Sequence, residues 1–231
     1  MRINRYLARE GVATRRGVDE LIEKRRIYIN GRVAVLGDKV NEDDVVEVRG
    51  AGKPKAYKYF AYHKPKGVIT HSPQEGEPDI KGKTRKFLDL ADAFPVGRLD
   101  KSSSGLIILT NDGRVTDRLL SPTYDHDKEY VVKTREPLRE SFKKYMEAGI
   151  DIEGYVTKKC SVRILGSHSC SVVLTEGKKH QLRRMVVALH NEVVDLKRVR
   201  IVNIVLGNLP PNSFRPIEGA ERETFLKTLG L

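Results

Sequence analysis

Apolar residues fall into two different rhythms along this chain. In the first fifty residues, Ile3, Tyr6 and Leu7, then Val18, Leu21 and Ile22, recur at three- and four-residue steps. That spacing places side chains on one face of a helix. Thr14 stands just ahead of the second group, where its hydroxyl is placed to cap the helix start. Ile27-Tyr28-Ile29 and Val33-Ala34-Val35 flank Asn30-Gly31, a pair that readily takes up the left-handed backbone of a tight hairpin. Asp44 to Val48 supplies a further strand. The stretch GAGKPK at 50–55 then breaks both rhythms with Gly and Pro. The chain accordingly divides into a small domain at 1–50, a linker at 51–55 and a larger domain at 56–231.

In the larger domain short apolar runs dominate. Tyr59–Tyr62, Gly67–Thr70, Leu106–Leu109, Glu129–Lys133, Ser161–Leu165, Cys170–Thr175 and Val199–Leu206 read as strands, and 114–120, 138–148, 180–190 and 219–229 read as helices. Strands outnumber helices and no regular βαβ repeat is present. The expected class is therefore α+β, with a mostly antiparallel or mixed sheet and flanking helices.

Composition narrows the partner. The chain has 231 residues, 39% of them hydrophobic, which is enough for a real core. Its apolar runs fall far short of the roughly 20 residues that cross a bilayer. Cys160 and Cys170 are the sole cysteines, with no C-x-x-C and no secretory apolar segment at the start, so a reduced, cytosolic protein is expected. The net charge of +12 and pI near 9.7 point to a polyanion. Without a basic amphipathic segment carrying Trp or Phe anchors, nucleic acid is favoured over membrane. The charge is also focused: residues 1–32 carry nine Lys/Arg against four Asp/Glu, whereas residues 33–50 carry two against five. Arg15, Arg16, Lys24, Arg25 and Arg26 make a basic face offset by Asp19, Glu20 and Glu23 alone.

Three stretches carry candidate chemistry. In VGRLDKSSSGLIILTNDG, 96–113, the run Leu106–Leu109 is a buried strand closed by Asn111-Asp112-Gly113, and Asp100 sits on the loop leading into it. A turn-capping role is the commoner fate of such an aspartate. No G-x-S-x-G elbow surrounds Ser102-Ser103-Ser104, so an esterase is excluded. The stretch DKEYVVK, 127–133, places Tyr130 within a strand, where a half-buried core tyrosine is the ordinary case. In EGKKHQLRRM, 176–185, a turn delivers cations into a helix start, against the macrodipole, so an anion is expected to hold them. His63, His71, His126, His168 and His190 are too scattered for a metal site, and neither metal nor cofactor is expected. A metal-dependent RNA hydrolase would need clustered carboxylates, which are absent around Asp100. A non-catalytic rRNA-binding protein would explain the charge but not an acid among RNA-contacting cations.

Residues 1–50 resemble the αL RNA-binding module first described in a small-subunit ribosomal protein. With GRLDKSSSGLIILTNDG, KEYVV and EGKKHQLRRM following in that order, the chain is similar over almost its whole length to the pseudouridine synthases of the RsuA/RluB/RluE/RluF family. These isomerise uridines in ribosomal RNA. The segments DHDKEY, VTKKC and RVRIVN point to the F branch of that family, which acts on the large subunit. The resemblance implies the pseudouridine synthase fold, with Asp100 as nucleophile, Tyr130 stacking on the base, and Arg183 paired with Asp100 and holding it ionised. It further implies Arg98 beside the RNA near the emptied base position. Ser102 and Ser103 stand where an acid and a threonine are common, and His180 where an arginine is usual. Lys178, Lys179, His180, Arg184, Lys197, Arg198 and Arg200 are the candidate phosphate grip of the second domain, and Arg5, Arg9, Arg15, Arg16, Lys24, Arg25 and Arg26 that of the first. The expected partner is ribosomal RNA, with tRNA left open, and the protein is expected to act as a monomer. Whether Asp100 attacks the uracil ring or the sugar stays open.

Overall fold

The computed structural model describes the 231 residues apart from 42, 50–55, 72, 86, 91 and 122. The linker expected at 51–55 thus lies outside the described residues.

The first part follows its pattern closely. Helices α1 (Ile3–Arg9) and α2 (Arg15–Glu23) precede β1 (Ile27–Ile29), β2 (Arg32–Val33) and β3 (Val46–Val48). Thr14 caps α2, its hydroxyl accepting from the Gly17 N–H at 3.1 Å. Asn30 and Gly31 both take positive φ, 50° and 80°, and close the β1–β2 hairpin. The Asn30 side chain also pins the incoming chain, donating to Asp44 and accepting from the Val45 N–H. The strands pair antiparallel in the order β2-β1-β3. Ile3, Leu7, Val18, Ile22, Ile27 and Ile29 meet beneath them in one core.

The second part comprises β4 (Tyr59–Lys64), α3 (Ile80–Thr84), a 3-10 turn (Leu88–Leu90), β5 (Phe94–Val96), β6 (Ser104–Thr110), α4 (Gly113–Leu120), β7 (Lys128–Thr134), α5 (Phe142–Ala148), β8 (Ser161–Gly166), β9 (Ser169–Leu174), α6 (Gln181–Ala188), β10 (Val193–Ile201), β11 (Ile204–Val205), β12 (Phe214–Pro216) and α7 (Gly219–Thr228). Its sheet runs β12-β4-β6-β10-β7-β9-β8, with β11 on β10 and β5 on β6. The β6–β10 pair is parallel. The other pairings are antiparallel, so the sheet is mixed.

Strand β6 explains its unbroken apolar run. Leu106 and Ile108 enter the core shared with Val115, Leu119 and Phe225, while Ile107 and Leu109 enter the opposite core with Phe60, Tyr62 and Ile80. A strand covered on both faces has no polar side to alternate with. A third core, under β7 and β9, includes Val132, Val172, Met146 and Met185.

Three expected elements change. Gly67–Thr70 is not a strand; Ile69 alone bridges, to Asp79. Val199–Leu206 is two strands rather than one, because Val202 takes φ 53° and turns β10 back into β11. The helix expected from 138 starts at Phe142. The short α3, β5 and β12 have too few residues to show a periodicity. The two parts also touch: α1 lies against α4, where Arg5 pairs with Asp117 at 3.2 Å. Among the described residues, no helix is long and apolar enough to cross a membrane.

Candidate active site

Asp100 lies on the loop from β5 to β6, and two strangers in sequence hold that loop. The Thr70 hydroxyl donates to the Leu99 carbonyl at 2.9 Å and accepts from the Leu99 N–H at 3.2 Å. Gly67 N–H donates to the Lys101 carbonyl at 2.8 Å. The 67–70 stretch is therefore a clasp for the Asp100 loop, which is why its backbone is not spent on a strand. Within the loop, the Asp100 carbonyl accepts from the Ser103 N–H at 3.0 Å, turning the chain into β6.

The Asp100 side chain is about one-third exposed (35%), and its Oδ1 stands 3.5 Å from His180 Nε2. His180 caps α6 in the left-handed region, φ 52°. A non-glycine residue there carries strain of about 1–2 kcal/mol. The turn that imposes it is built by Glu176, whose carboxylate accepts from Tyr155 Oη at 2.5 Å, the Lys158 N–H at 2.9 Å and Gln181 Nε2 at 2.7 Å. Gln181 Oε1 in turn accepts from the Lys178 N–H. The backbone of this helix start is thus shaped by an internal carboxylate, and Lys178 and Lys179 stay exposed on it.

Behind Asp100 is Lys64, the last residue of β4 and fully buried. Its ammonium donates to the carbonyls of Pro65 at 3.0 Å and Val68 at 2.8 Å. Burial pulls its pKa down to about 8, against the opposing pull of the Asp100 charge. Sequence reasoning missed Lys64, although a lysine ending the strand YFAYHK, all six residues of which are buried, was a signal that could have found it.

Tyr130 on β7 faces Arg198 on β10 across the sheet, and Gly105 on β6 faces Arg198 from the other side. A Cβ at Gly105 would lie 2.2 Å from the Arg198 carbonyl oxygen, so only glycine lets β6 and β10 close there. Arg198 is 4% exposed; its Nε donates to the Leu106 carbonyl at 2.7 Å and its Nη1 to the Arg98 carbonyl at 3.4 Å. Asp100, Tyr130, His180, Lys128 and Arg198 line one cleft of about 980 Å³. A smaller cavity of about 500 Å³ between α5 and the end of α6 stands apart from these groups.

The part-exposed Asp100 carboxylate, set among cations beside an aromatic ring and within a cleft large enough for a nucleotide, is suited to nucleophilic attack on a base or its sugar. Residues 58–188 match the RNA pseudouridylate synthase family, and residues 1–46 match the S4 domain. The chain belongs to the RNA pseudouridylate synthase family. It is 35% identical over 229 residues to the dual-specificity RNA pseudouridine synthase RluF of Escherichia coli (strain K12), covering 96% of this chain and 77% of that protein. It is 36% identical over 207 residues to the ribosomal large subunit pseudouridine synthase B of Bacillus subtilis (strain 168), covering 85% of this chain and 84% of that one. A crystal structure of a pseudouridylate synthase superposes with a TM-score of 0.72 at 28% identity, over 97% of this chain and 99% of the other. The chain is thus a catalytic pseudouridine synthase with an RNA-binding module, and the reading as a passive binding protein falls away.

Within this synthase, several expected placements need correction. Arg183 makes no ion pair with Asp100 among the described residues. Its Nη1 donates to the Val193 carbonyl at 3.1 Å and its Nη2 to Ser103 Oγ at 3.4 Å, so it reaches the Asp100 loop through a serine hydroxyl. Arg198 is not a surface phosphate contact, because it is buried under the loop. Lys197 precedes it on β10 and so faces the other side of the sheet. Arg200 is engaged by Glu129 at 3.0 Å and Asp127 at 3.6 Å, and Arg184 by Glu153 at 2.7 Å and the Ile152 carbonyl. Their guanidinium groups are already paired with carboxylates of this chain. Lys178, Lys179, His180 and Arg98 stay exposed at the cleft. In the module Arg15, Arg16, Lys24, Arg25 and Arg26 are exposed along α2 and the turn after it, while Arg5 and Arg9 pair with Asp117 and Glu10.

Proposed function

We propose that this protein converts uridine to pseudouridine in ribosomal RNA, in the large subunit, as a cytosolic monomer with Asp100 as nucleophile. The carrying observation is the Asp100 carboxylate, one-third exposed in the cleft, with His180 and Arg198 lining the same cleft, Lys64 behind it and Tyr130 at hand. The names of the relatives in Escherichia coli and Bacillus subtilis support the RNA class and the large subunit.

The isomerisation needs no external electron or energy source: the base leaves C1′ through N1, turns, and rejoins through C5, which gives up its proton. A uridine in folded RNA must first swing out of its stack, at a cost of roughly a few kcal/mol. Tyr130 offers the ring on which the freed base stacks. Arg183 acts on the Asp100 loop through Ser103. Lys178, Lys179 and Arg98 at the mouth, with the exposed α2 cations of the module, hold the backbone by phosphate contacts that position without reading sequence. The unit at 1–50 binds, the unit at 56–231 reacts, and residues 51–55 join them.

The test maps pseudouridine, by its altered chemical reactivity, in ribosomal RNA from cells with and without the gene. At least one large-subunit site should vanish with the gene, return with the wild-type gene and stay absent with Asp100→Asn. An unchanged pseudouridine pattern would overturn the proposal.

A further inference from the structure

After Asp100 is counted, the floor of the cleft still holds more positive charge than one nucleophile needs. Arg198, buried, and Lys128, half-buried, line it, and buried Lys64 lies near enough to feel the Asp100 charge. Of these, Lys64 has its ammonium occupied by two carbonyls. Arg198 does not: Nε and Nη1 have carbonyl partners, but Nη2 is covered and has none among the described residues. A buried donor without an acceptor costs roughly 1–3 kcal/mol. The fold keeps it under the loop that carries Asp100 and directly across the strands from Tyr130. Lys128 stands near enough that the Arg198 charge helps to lower its pKa, after burial. Lys128 and Tyr130 are two residues apart on β7 and share a face.

The reaction supplies what this donor lacks. If the Asp100 carboxylate adds to C6 of uracil, the C5–C6 π electrons move toward C4 and leave the negative charge on O4. If Asp100 instead attacks C1′, the electrons of the broken N1–C1′ bond stay with the ring and spread onto O2 and O4. No proton moves in either step; the charge of Asp100 is passed to the base. On both routes the uracil carbonyl oxygens become anionic while the ring lies against Tyr130.

We infer that Arg198, with Lys128 beside it, is a catalytic pair that receives the negative charge developing on the uracil carbonyl oxygens. The inference rests on the uridine-isomerase reading above. Donors fixed in a water-poor site and aimed at developing charge act in the transition state more than on ground-state binding. A base reaches Nη2 by pressing in beside Tyr130, its neighbour across the sheet, and so meets the full contact only once flipped. A backbone phosphate is bulkier and tied to the strand; it stays at the mouth with the exposed Lys178 and Lys179.

The test uses the full-length protein and an in vitro transcript of large-subunit ribosomal RNA, with wild type assayed first. Wild type that forms no pseudouridine would overturn the functional reading and this inference together. With active wild type, Arg198→Gln should lower the single-turnover rate at saturating enzyme by roughly 10²- to 10³-fold, with RNA affinity and its salt dependence unchanged. Arg198→Lys, which restores a cation, should recover at least about tenfold of that loss. Thermal melting reports whether each variant folds. Should Arg198→Gln fail to fold, Lys128→Met carries the test, since among the described residues its ammonium holds the His126 carbonyl alone. It should lose roughly tenfold or more in rate at unchanged affinity. Rates within about threefold of wild type in the folded variants would overturn the inference. So would weakened, less salt-dependent binding with the rate preserved, which marks a phosphate contact.

Discussion

Lys64 offers a prediction whose sign reverses with pH. Its pKa falls from the usual 10.5 to about 8 because burial disfavours the ammonium form. At about 1.4 kcal/mol per factor of ten, keeping that proton in the folded protein costs about 3 kcal/mol relative to the unfolded chain. Below pH 8 both states carry the proton and the cost is complete. Between pH 8 and 10.5 the folded state has released it while the unfolded state retains it, so stability rises with pH across that window. Lys64→Met removes the charge and abolishes this rise, but it deprives the Val68 carbonyl of its 2.8 Å donor, a loss of roughly 1–3 kcal/mol. Near pH 7 the two effects nearly cancel, and the variant should match wild type within about 2 kcal/mol. Near pH 10 the wild type carries little of the burial cost, and the variant should be the less stable. The difference between the two should shift by roughly 2–3 kcal/mol from pH 7 to pH 10. Urea unfolding of both proteins at several pH values reads this directly, because groups common to both cancel in the comparison. Midpoints that move in parallel would refute the reasoning and place the Lys64 ammonium in contact with water.

Asp100→Asn, nearly isosteric, should abolish single-turnover isomerisation while thermal melting and RNA affinity stay close to wild type; conversion at a comparable rate would remove Asp100 as nucleophile. Gly105→Ala has to fit a Cβ 2.2 Å from the Arg198 carbonyl oxygen at φ 115°. It should destabilise by roughly 2–5 kcal/mol through overpacking and backbone strain, and an unchanged melting temperature would show that β6 and β10 are not closed here. Deleting residues 1–50 should weaken RNA binding and flatten the slope of log affinity against log salt by roughly 0.7–0.9 for each phosphate no longer neutralised. The chemical rate on fully bound RNA should persist, and an unchanged salt slope with a lost rate would make the module part of the catalytic assembly.

Local rules account for what the chain discloses by itself. The module helices, the Thr14 cap and the Asn30-Gly31 hairpin depend on neighbours within a few residues, so periodicity and turn chemistry were sufficient to place them. The same holds for β6, whose apolar run implied cover on both faces. Asp100, Tyr130 and Arg183 were legible as candidates because three motifs stand in a recognisable order.

What surrounds Asp100 was decided by tertiary structure alone. Lys64 comes from 36 positions upstream and Arg198 from 98 positions downstream, and residue type argued that both were exposed, since Lys and Arg are seldom buried without a partner. Alternation along β10 reveals that Lys197 and Arg198 point to opposite faces. It cannot reveal which face is the cleft, because that depends on β10 lying parallel to β6 and antiparallel to β7. The expected Arg183–Asp100 pair failed for a similar reason: the carbonyl of Val193 and the hydroxyl of Ser103 reach the guanidinium. His180 comes within 3.5 Å of Asp100 because the Glu176 turn forces it into a left-handed conformation. Sequence pattern records how each segment satisfies its own backbone and apolar faces; the charges of a site are set by which segments the sheet brings side by side.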